Sequence, residues 1–422
     1  MNNFSYKGKR LFCENISVEE ICKKIKTPFY LYSSNQILDN FNLLAKKFKG
    51  CNILIAYAVK ANSNKSILRL LAKKGAGADV VSYGEMTRAL KAGISANKIV
   101  FSGVGKTELE ISKAIEHKIL QFNIESQQEF LTIEQIAREK KIKANIAIRI
   151  NPDIVAGGHP KISTGKKTDK FGVSSDEAIK IYLSAKQSAH INIVGVDMHI
   201  GSQILQIKPF KNSFKKIENF CKKLEKNKIK IKNIDLGGGL GVNYTNQKNR
   251  DITKEYTNLV RDISLRTKKK IIIEPGRFIV ANAGILVTKI LYEKYSDKKN
   301  FIIVDAGMND FLRPALYDAK HPVKQIKIKN HKDKEEYFDV VGPICETADV
   351  IAKNTKLKKN VQRGDFLYVD KVGAYGSTMS STYNSRGLIS EVLVSKNMFF
   401  EIRKKMLESD FLKLEKTPSW IK

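Results

Sequence analysis

Lys60, His199, a glycine run from Gly237 to Gly241 and Glu274 could work on one molecule, and each directly follows a short apolar run. They stand in Tyr57-Ala58-Val59-Lys60-Ala61-Asn62, Met198-His199-Ile200-Gly201-Ser202, Gly237-Gly238-Gly239-Leu240-Gly241 and Glu274-Pro275-Gly276-Arg277. A lysine amine without its proton can form an imine with an aldehyde. An imidazole can lie flat against an aromatic ring. Bare glycine backbone can approach a phosphate and offer N–H groups. A carboxylate can keep a ring nitrogen protonated, so that the ring withdraws electrons. Together these are what pyridoxal 5'-phosphate requires of a protein.

Each residue also has a plain reading. Most lysines are surface charges; Lys60 differs in ending an apolar run between Ala58 and Ala61, where a bulky group could approach. Glu274 could form a salt bridge with Arg277, and His199 could be a hydrogen-bonded structural residue. The glycine run lacks the following Lys-Ser/Thr of a Walker loop and could be a tight turn. Gly276 and the hydroxyls of Ser202 and Tyr375 are further candidate phosphate contacts. Cys345 has a charged neighbour, Glu346, and its thiol could protonate a carbon; Cys13, Cys22, Cys51 and Cys221 read as small apolar residues. Turn chemistry could explain Gly307 and Asn309 in the loop from Asp305 to Pro314, but hardly Arg313 beside Pro314 and Tyr317.

The elements that must position these residues alternate. Apolar runs at Ile53 to Ala58, Ala78 to Val81, Ile99 to Phe101, Leu120 to Ile124, Ile146 to Ile150, Val194 to Met198, Asn233 to Leu236 and Ile271 to Ile273 suit strands buried on both faces. Helical periodicity lies between them, as in Ile67 to Lys74 and Phe214 to Lys226. This predicts an α/β fold, a (β/α)₈ TIM-type barrel over residues 30–280, whose post-strand loops share one functional face. Beyond Gly284, alternating runs at Ile285 to Leu291, Phe301 to Val304, Tyr337 to Val341, Phe366 to Val369 and Leu388 to Val394 predict a second, antiparallel β-sandwich or β-barrel domain, comprising residues 1–29 and 281–422. Pro28 marks the hand-over into the barrel.

The formal charge of +32 invites a nucleic-acid reading. The lysines are spread along solvent faces and turns from end to end, however, which favours a solvated surface and leaves a basic nucleic-acid-binding protein as the non-enzymatic alternative. Five scattered cysteines without a C-x-x-C pair disfavour a disulfide framework or a zinc site, and no metal is expected. The N-terminus does not read as a signal peptide, and no apolar run reaches the ~20 residues of a membrane span. A cytoplasmic enzyme with no membrane or nucleic-acid partner is expected.

With Gly342-Pro343-Ile344-Cys345-Glu346-Thr347-Ala348-Asp349, the four motifs resemble the diaminopimelate decarboxylase family, within the alanine-racemase-like, fold type III group of pyridoxal enzymes. Further family-like segments are Phe101 to Lys106, Gly158-His159 through Lys170-Phe171-Gly172, Gly373-Ala374-Tyr375 and Tyr383 to Arg386, so the resemblance spans about Phe29 to Arg386. It implies conversion of meso-2,6-diaminopimelate to L-lysine and CO₂, with Lys60, His199 and Cys345 catalytic. It also implies a homodimer in which Cys345 and Glu346 reach the partner's site. Arg277, Arg313, Tyr317 and Tyr375 would hold the substrate's carboxylate end and Glu346 its distal ammonium. Decarboxylases of ornithine, arginine or carboxynorspermidine are the alternatives, and in the ornithine type an aspartate is expected where Glu346 stands. An amino-acid racemase, which must retain the carboxylate, fits Arg313, Tyr317, Cys345 and Glu346 less well.

Overall fold

The computed structural model describes residues 3–154, 165, 169–245, 251–329 and 334–421; Gly158 and His159 lie outside the described residues. The chain divides into two compact units, one of Leu38–Asn243 with Gln247–Ile279, the other of Met1–Ile37, Tyr244–Asn246 and Val280–Lys422. Among the described residues no helix is long and apolar enough to cross a membrane.

The first unit is a closed barrel of eight parallel strands: β1 (Ile53–Ala58), β2 (Gly77–Val80), β3 (Ile99–Phe101), β4 (Gln121–Ile124), β5 (Ala144–Arg149), β6 (Ile191–Asp197), β7 (Asn233–Asp235) and β8 (Lys270–Ile273). Sequential strands neighbour one another, and β8 closes on β1 with Ile271, Ile272 and Ile273 opposite Ile53, Leu54 and Ile55. Helices cover the outside, so the strands are apolar on both faces. Ser82, Thr107, Ser126 and Ser174 cap four of these helices by accepting a backbone N–H, and Thr107 forms a full capping box with Glu110.

The strand period of two sorts the interior into layers. Leu54, Ala56, Val100 and Ile272 pack as an apolar plug. Further along, the interior turns polar: Gln121 donates to Asn123 at 2.8 Å, Asn233 to Gln121 at 2.9 Å, and Asn123 to Asp235 at 3.3 Å. Beyond this polar floor lie the strand ends that carry the candidate residues.

In the second unit, the strand Phe29–Ser33 lies between Gly284–Lys294, antiparallel to it, and Ser390–Ser395, parallel to it. The sequence reading puts residues 30–37 at the entry to the barrel, but they belong to this unit. Most ladders here are antiparallel, as expected of a β domain. Besides the 29–33/390–395 pair, Phe301–Val304 runs parallel to Glu335–Val341, so the sheet is mixed. Its core includes Phe29, Leu31, Ile285, Val287, Val392 and Val394.

Candidate active site

Lys60 sits in a single 3-10 turn, Val59–Ala61, that continues β1. Its Nζ lies 2.6 Å from Asp79 Oδ2; the Asp79 side chain is fully buried, while that of Lys60 keeps 36% of its surface exposed. The carboxylate of Asp79 pairs with the amine and fixes its position. Glu85, at the start of the next helix, accepts the Val81 N–H at 2.9 Å; burial pushes its carboxyl up to about 7, with Asp79 adding to the shift and Lys60 opposing it.

Glu274 follows β8, the strand paired with β1, and so comes to the same end of the barrel as Lys60. It is 5% exposed, and among the described residues its Oε1 meets no hydrogen-bond partner. Removal from water holds its carboxyl well above the usual range, reinforced by Asp235, Asp79 and Asp197 and opposed by Lys60.

The glycine run is a turn between β7 and its neighbours. Gly237 N–H donates to Asp235 Oδ1 and Gly238 N–H to His199 Nδ1, both at 3.0 Å, and Gly241 N–H donates to the Ile204 carbonyl at 3.1 Å. These N–H groups are already engaged, which corrects the expectation that the whole run offers donors; among the described residues Gly239 is the glycine left to do so. Glycine is required for shape: Gly237 has φ +65°, and a Cβ there would stand 2.7 Å from His199 Nδ1. Because His199 Nδ1 accepts, any proton on a neutral ring is on Nε2. Removal from water, then the charges of Arg149 and Lys60, push the imidazole well below its ordinary range, so it is neutral at pH 7.

Arg277 is 5% exposed and donates to Ser202 Oγ through Nε (3.3 Å) and Nη2 (2.9 Å). Gly276 lets the Glu274–Arg277 turn pack on the Lys60 turn: a Cβ there would meet Ala61 Cβ at 2.9 Å and Ala58 Cβ at 3.0 Å. Lys60, His199, Ser202, Gly237 to Gly239, Glu274, Gly276 and Arg277 therefore come together at one end of the barrel. This donor set fits pyridoxal phosphate. It offers an amine for the aldehyde, a bare buried acid oxygen for the ring nitrogen, a neutral imidazole for the ring face, and hydroxyl, guanidinium and N–H groups for the phosphate.

Four buried charges near this site escaped the sequence reading: Asp79, Arg149, Asp197 and Asp235. Each interrupts an apolar run, as in Ala78-Asp79-Val80, Ile148-Arg149-Ile150, Val196-Asp197-Met198 and Ile234-Asp235-Leu236. That interruption is the signal that could have found them, because a charge inside a strand buried on both faces needs a partner. Arg149 lies 3.0 Å from Glu125 and 3.7 Å from Asp197.

Arg313, Tyr317, Cys345, Glu346 and Tyr375 belong to the second unit. Arg313 is 7% exposed, donates to His321 Nε2 at 3.3 Å and stacks 5.2 Å from the Tyr244 ring centre. His321 Nδ1 faces the Asp370 carbonyl at 2.9 Å, so a neutral His321 donates from Nδ1 and accepts from Arg313. His321 was also missed. Tyr317 ends the short helix Arg313–Tyr317 and is half-buried. Cys345 and Glu346 are exposed; Cys345 N–H donates to Asn384 at 3.2 Å, and Glu346 accepts from Tyr383 at 2.7 Å. Asp349 ties their loop to the 307–310 turn by accepting the Ile344 N–H at 2.7 Å and the Met308 N–H at 2.6 Å. Tyr375 has φ +57°, a left-handed backbone that bulky residues rarely adopt.

Comparison with known proteins agrees with this geometry. Residues 34–281 match the pyridoxal-binding domain of the pyridoxal-dependent decarboxylases. The chain is 48% identical to a diaminopimelate decarboxylase of Helicobacter pylori, with 94% of this chain and 97% of the relative covered. It is 44% identical to a diaminopimelate decarboxylase of Aquifex aeolicus, with 95% and 94% covered. The crystal structure of the diaminopimelate decarboxylase of M. jannaschii in co-complex with L-lysine has a TM-score of 0.94 at 39% identity, covering 99% of this chain and 98% of that one.

Proposed function

The chain belongs to the diaminopimelate decarboxylases, within the pyridoxal-dependent decarboxylases, and on that premise we propose that it converts meso-2,6-diaminopimelate to L-lysine and CO₂, the last step of lysine biosynthesis. The observation that carries this reading is the meeting of Lys60, its partner Asp79 and the bare Glu274 oxygen on the paired strands β1 and β8 and their neighbour β2.

Pyridoxal phosphate would be held by Lys60 at its aldehyde carbon, by Glu274 at its ring nitrogen and by His199 at its ring face. Gly237 to Gly239, Ser202, Gly276, Arg277 and Tyr375 would surround its phosphate. When bound, the cofactor supplies an electron sink for the pair left by carbon–carbon cleavage. Asp79 holds the Lys60 ammonium at the end of β1. Gly238 fixes the tautomer of His199. Arg277, Arg313, Tyr317 and Tyr375 hold the carboxylate end that is retained, with Arg offering bidentate geometry, and Glu346 holds the distal ammonium. Cys345 delivers the proton that replaces the departing carboxyl group. The buried Arg313, oriented by His321 and Tyr244, favours a substrate with a distal carboxylate over ornithine, which has none. The working form is a cytoplasmic homodimer.

Incubation with meso-diaminopimelate, with and without added pyridoxal phosphate, should yield equal amounts of lysine and CO₂ only in the loaded sample, with ornithine turned over far more slowly. Loaded protein that makes no lysine, or that prefers ornithine, would overturn this assignment.

A further inference from the structure

The interior of the barrel holds more buried acids than cations. Around the Glu274 carboxyl stand Asp79 on β2, Glu125 after β4, Arg149 on β5, Asp197 on β6, Asp235 on β7 and Lys60 after β1, with neutral His199 and the phenol of Tyr256. Lys60 answers Asp79 at 2.6 Å, and Arg149 answers Glu125 at 3.0 Å and Asp197 at 3.7 Å. Among the described residues no ion pair joins a cation to Asp235 or Glu274, although the charge of Lys60 opposes the Glu274 shift from a distance. Oxygens of Asp197, Asp235 and Glu274 all lie within 4.8 Å of one another, and all three residues are buried.

Carboxylates this close, buried and without an ion-pair partner repel one another when all are ionised, so the Asp235–Glu274 pair holds a proton. Its position is set by the other partners. Asp235 already accepts the Gly237 N–H at 3.0 Å and the Asn123 amide at 3.3 Å, which suit its charged form. Glu274 has no such donors, and among the described residues its Oε1 is without a partner, as is Asp197 Oδ1.

We infer that Asp235 is a positioning residue that keeps a proton on Glu274 in the cofactor-free protein, and that Glu274 gives this proton to a ring nitrogen arriving without one. In that step the O–H bond of Glu274 breaks, an N–H bond forms, and the electron pair stays on Glu274 as a carboxylate facing the new cation. The raised carboxyls agree: burial pushes Asp235 up to about 6, so at neutral pH it is the charged member of the pair, and it holds Glu274 well above the ordinary range. The inference deepens the cofactor assignment and rests on it only for the transfer step.

Infrared spectroscopy of the cofactor-free protein tests the first half. Glu85, with its carboxyl at about 7, contributes a protonated-carboxyl band of its own, so the band in question is the one in the wild-type minus Glu274→Gln difference spectrum at pH 7; it should be present there and lost in Asp235→Asn, whose amide would donate to an ionised Glu274. Absence of the band from the wild type, or its survival in folded Asp235→Asn, would overturn the inference. The second half needs only the wild type. Pyridoxal phosphate should abolish the band, whereas its 1-deaza analogue, with carbon in place of the ring nitrogen, should leave it. Loss of the band with both compounds, or with neither although both bind, would refute the transfer. Failure of pyridoxal phosphate itself to bind would refute the cofactor assignment and leave the first half standing, and survival of the band with bound pyridoxal phosphate would refute the transfer whether or not the analogue binds.

Discussion

The roles proposed for Lys60 and Cys345 separate in experiment. Lys60→Ala should lose lysine production to background together with the absorbance of the lysine-bound cofactor. Cys345→Ala should keep that absorbance and lose ~10²- to 10⁴-fold in kcat, the usual contribution of a positioned proton donor. Asp235 connects the site to stability. Its folded carboxyl, at about 6, lies above the ordinary carboxylate value near ~3.9, so the stabilisation it gives is complete below that value and is lost as pH rises through about 6. Cofactor-free protein should therefore melt several degrees lower at about pH 7.5 than at about pH 5, and Asp235→Asn should flatten that difference. An unchanged slope would exclude Asp235 as its source. Gly237→Ala forces a Cβ to 2.7 Å from His199 Nδ1 at φ +65°. It should cost ~1–3 kcal/mol and weaken cofactor binding, as read by thermal melting and cofactor titration.

Single elements show why part of this molecule is legible in its sequence. All eight barrel strands fall on the apolar runs because helices cover one face and the barrel interior the other, leaving continuous Ile, Val and Ala stretches. The β unit gives less away. Its alternation marks strands but not their direction, and nothing local to Phe29–Ser33 reveals that it pairs with residues more than 250 positions later. Asp79, Arg149, Asp197 and Asp235 were passed over because each lies inside a run read as apolar, and His321 because nothing local to it reveals its contact with Tyr244, which is distant in sequence. Lys106, in the loop after β3, is another hidden charge. Only 1% of its side chain is exposed, and it donates to Glu129 at 2.6 Å and to the carbonyls of Gly103 at 2.7 Å and Asn123 at 2.9 Å. Lys106→Met strands the Glu129 charge and should cost ~3–5 kcal/mol. Adding Glu129→Gln, which keeps an acceptor for the Glu125 N–H, should recover part of the loss in denaturant unfolding.

For the molecule as a whole, the formal charge of +32 sets how it meets anions. A field of that sign draws in an anionic cofactor or substrate and is screened by salt. The association rate of pyridoxal phosphate with the cofactor-free protein should fall severalfold between about 20 and about 200 mM salt, while the chemical step stays unchanged; stopped-flow mixing reads the first and single turnover the second. Any duplex DNA binding should be weak and vanish over the same range, because the lysines are spread along the sequence from end to end.

The pairing of Phe29–Ser33 with Gly284–Lys294 and Ser390–Ser395 also matters during synthesis. Phe29–Ser33 waits while the whole barrel is translated, and its second flanking strand, Ser390–Ser395, emerges long after the barrel is complete. Until then a nascent chain carries an apolar strand with two open edges, which is a template for aggregation. Premature termination between the end of the barrel unit at Ile279 and residue 390 would therefore leave a polypeptide whose barrel can close but whose strand Phe29–Ser33 invites capture by chaperones or proteases.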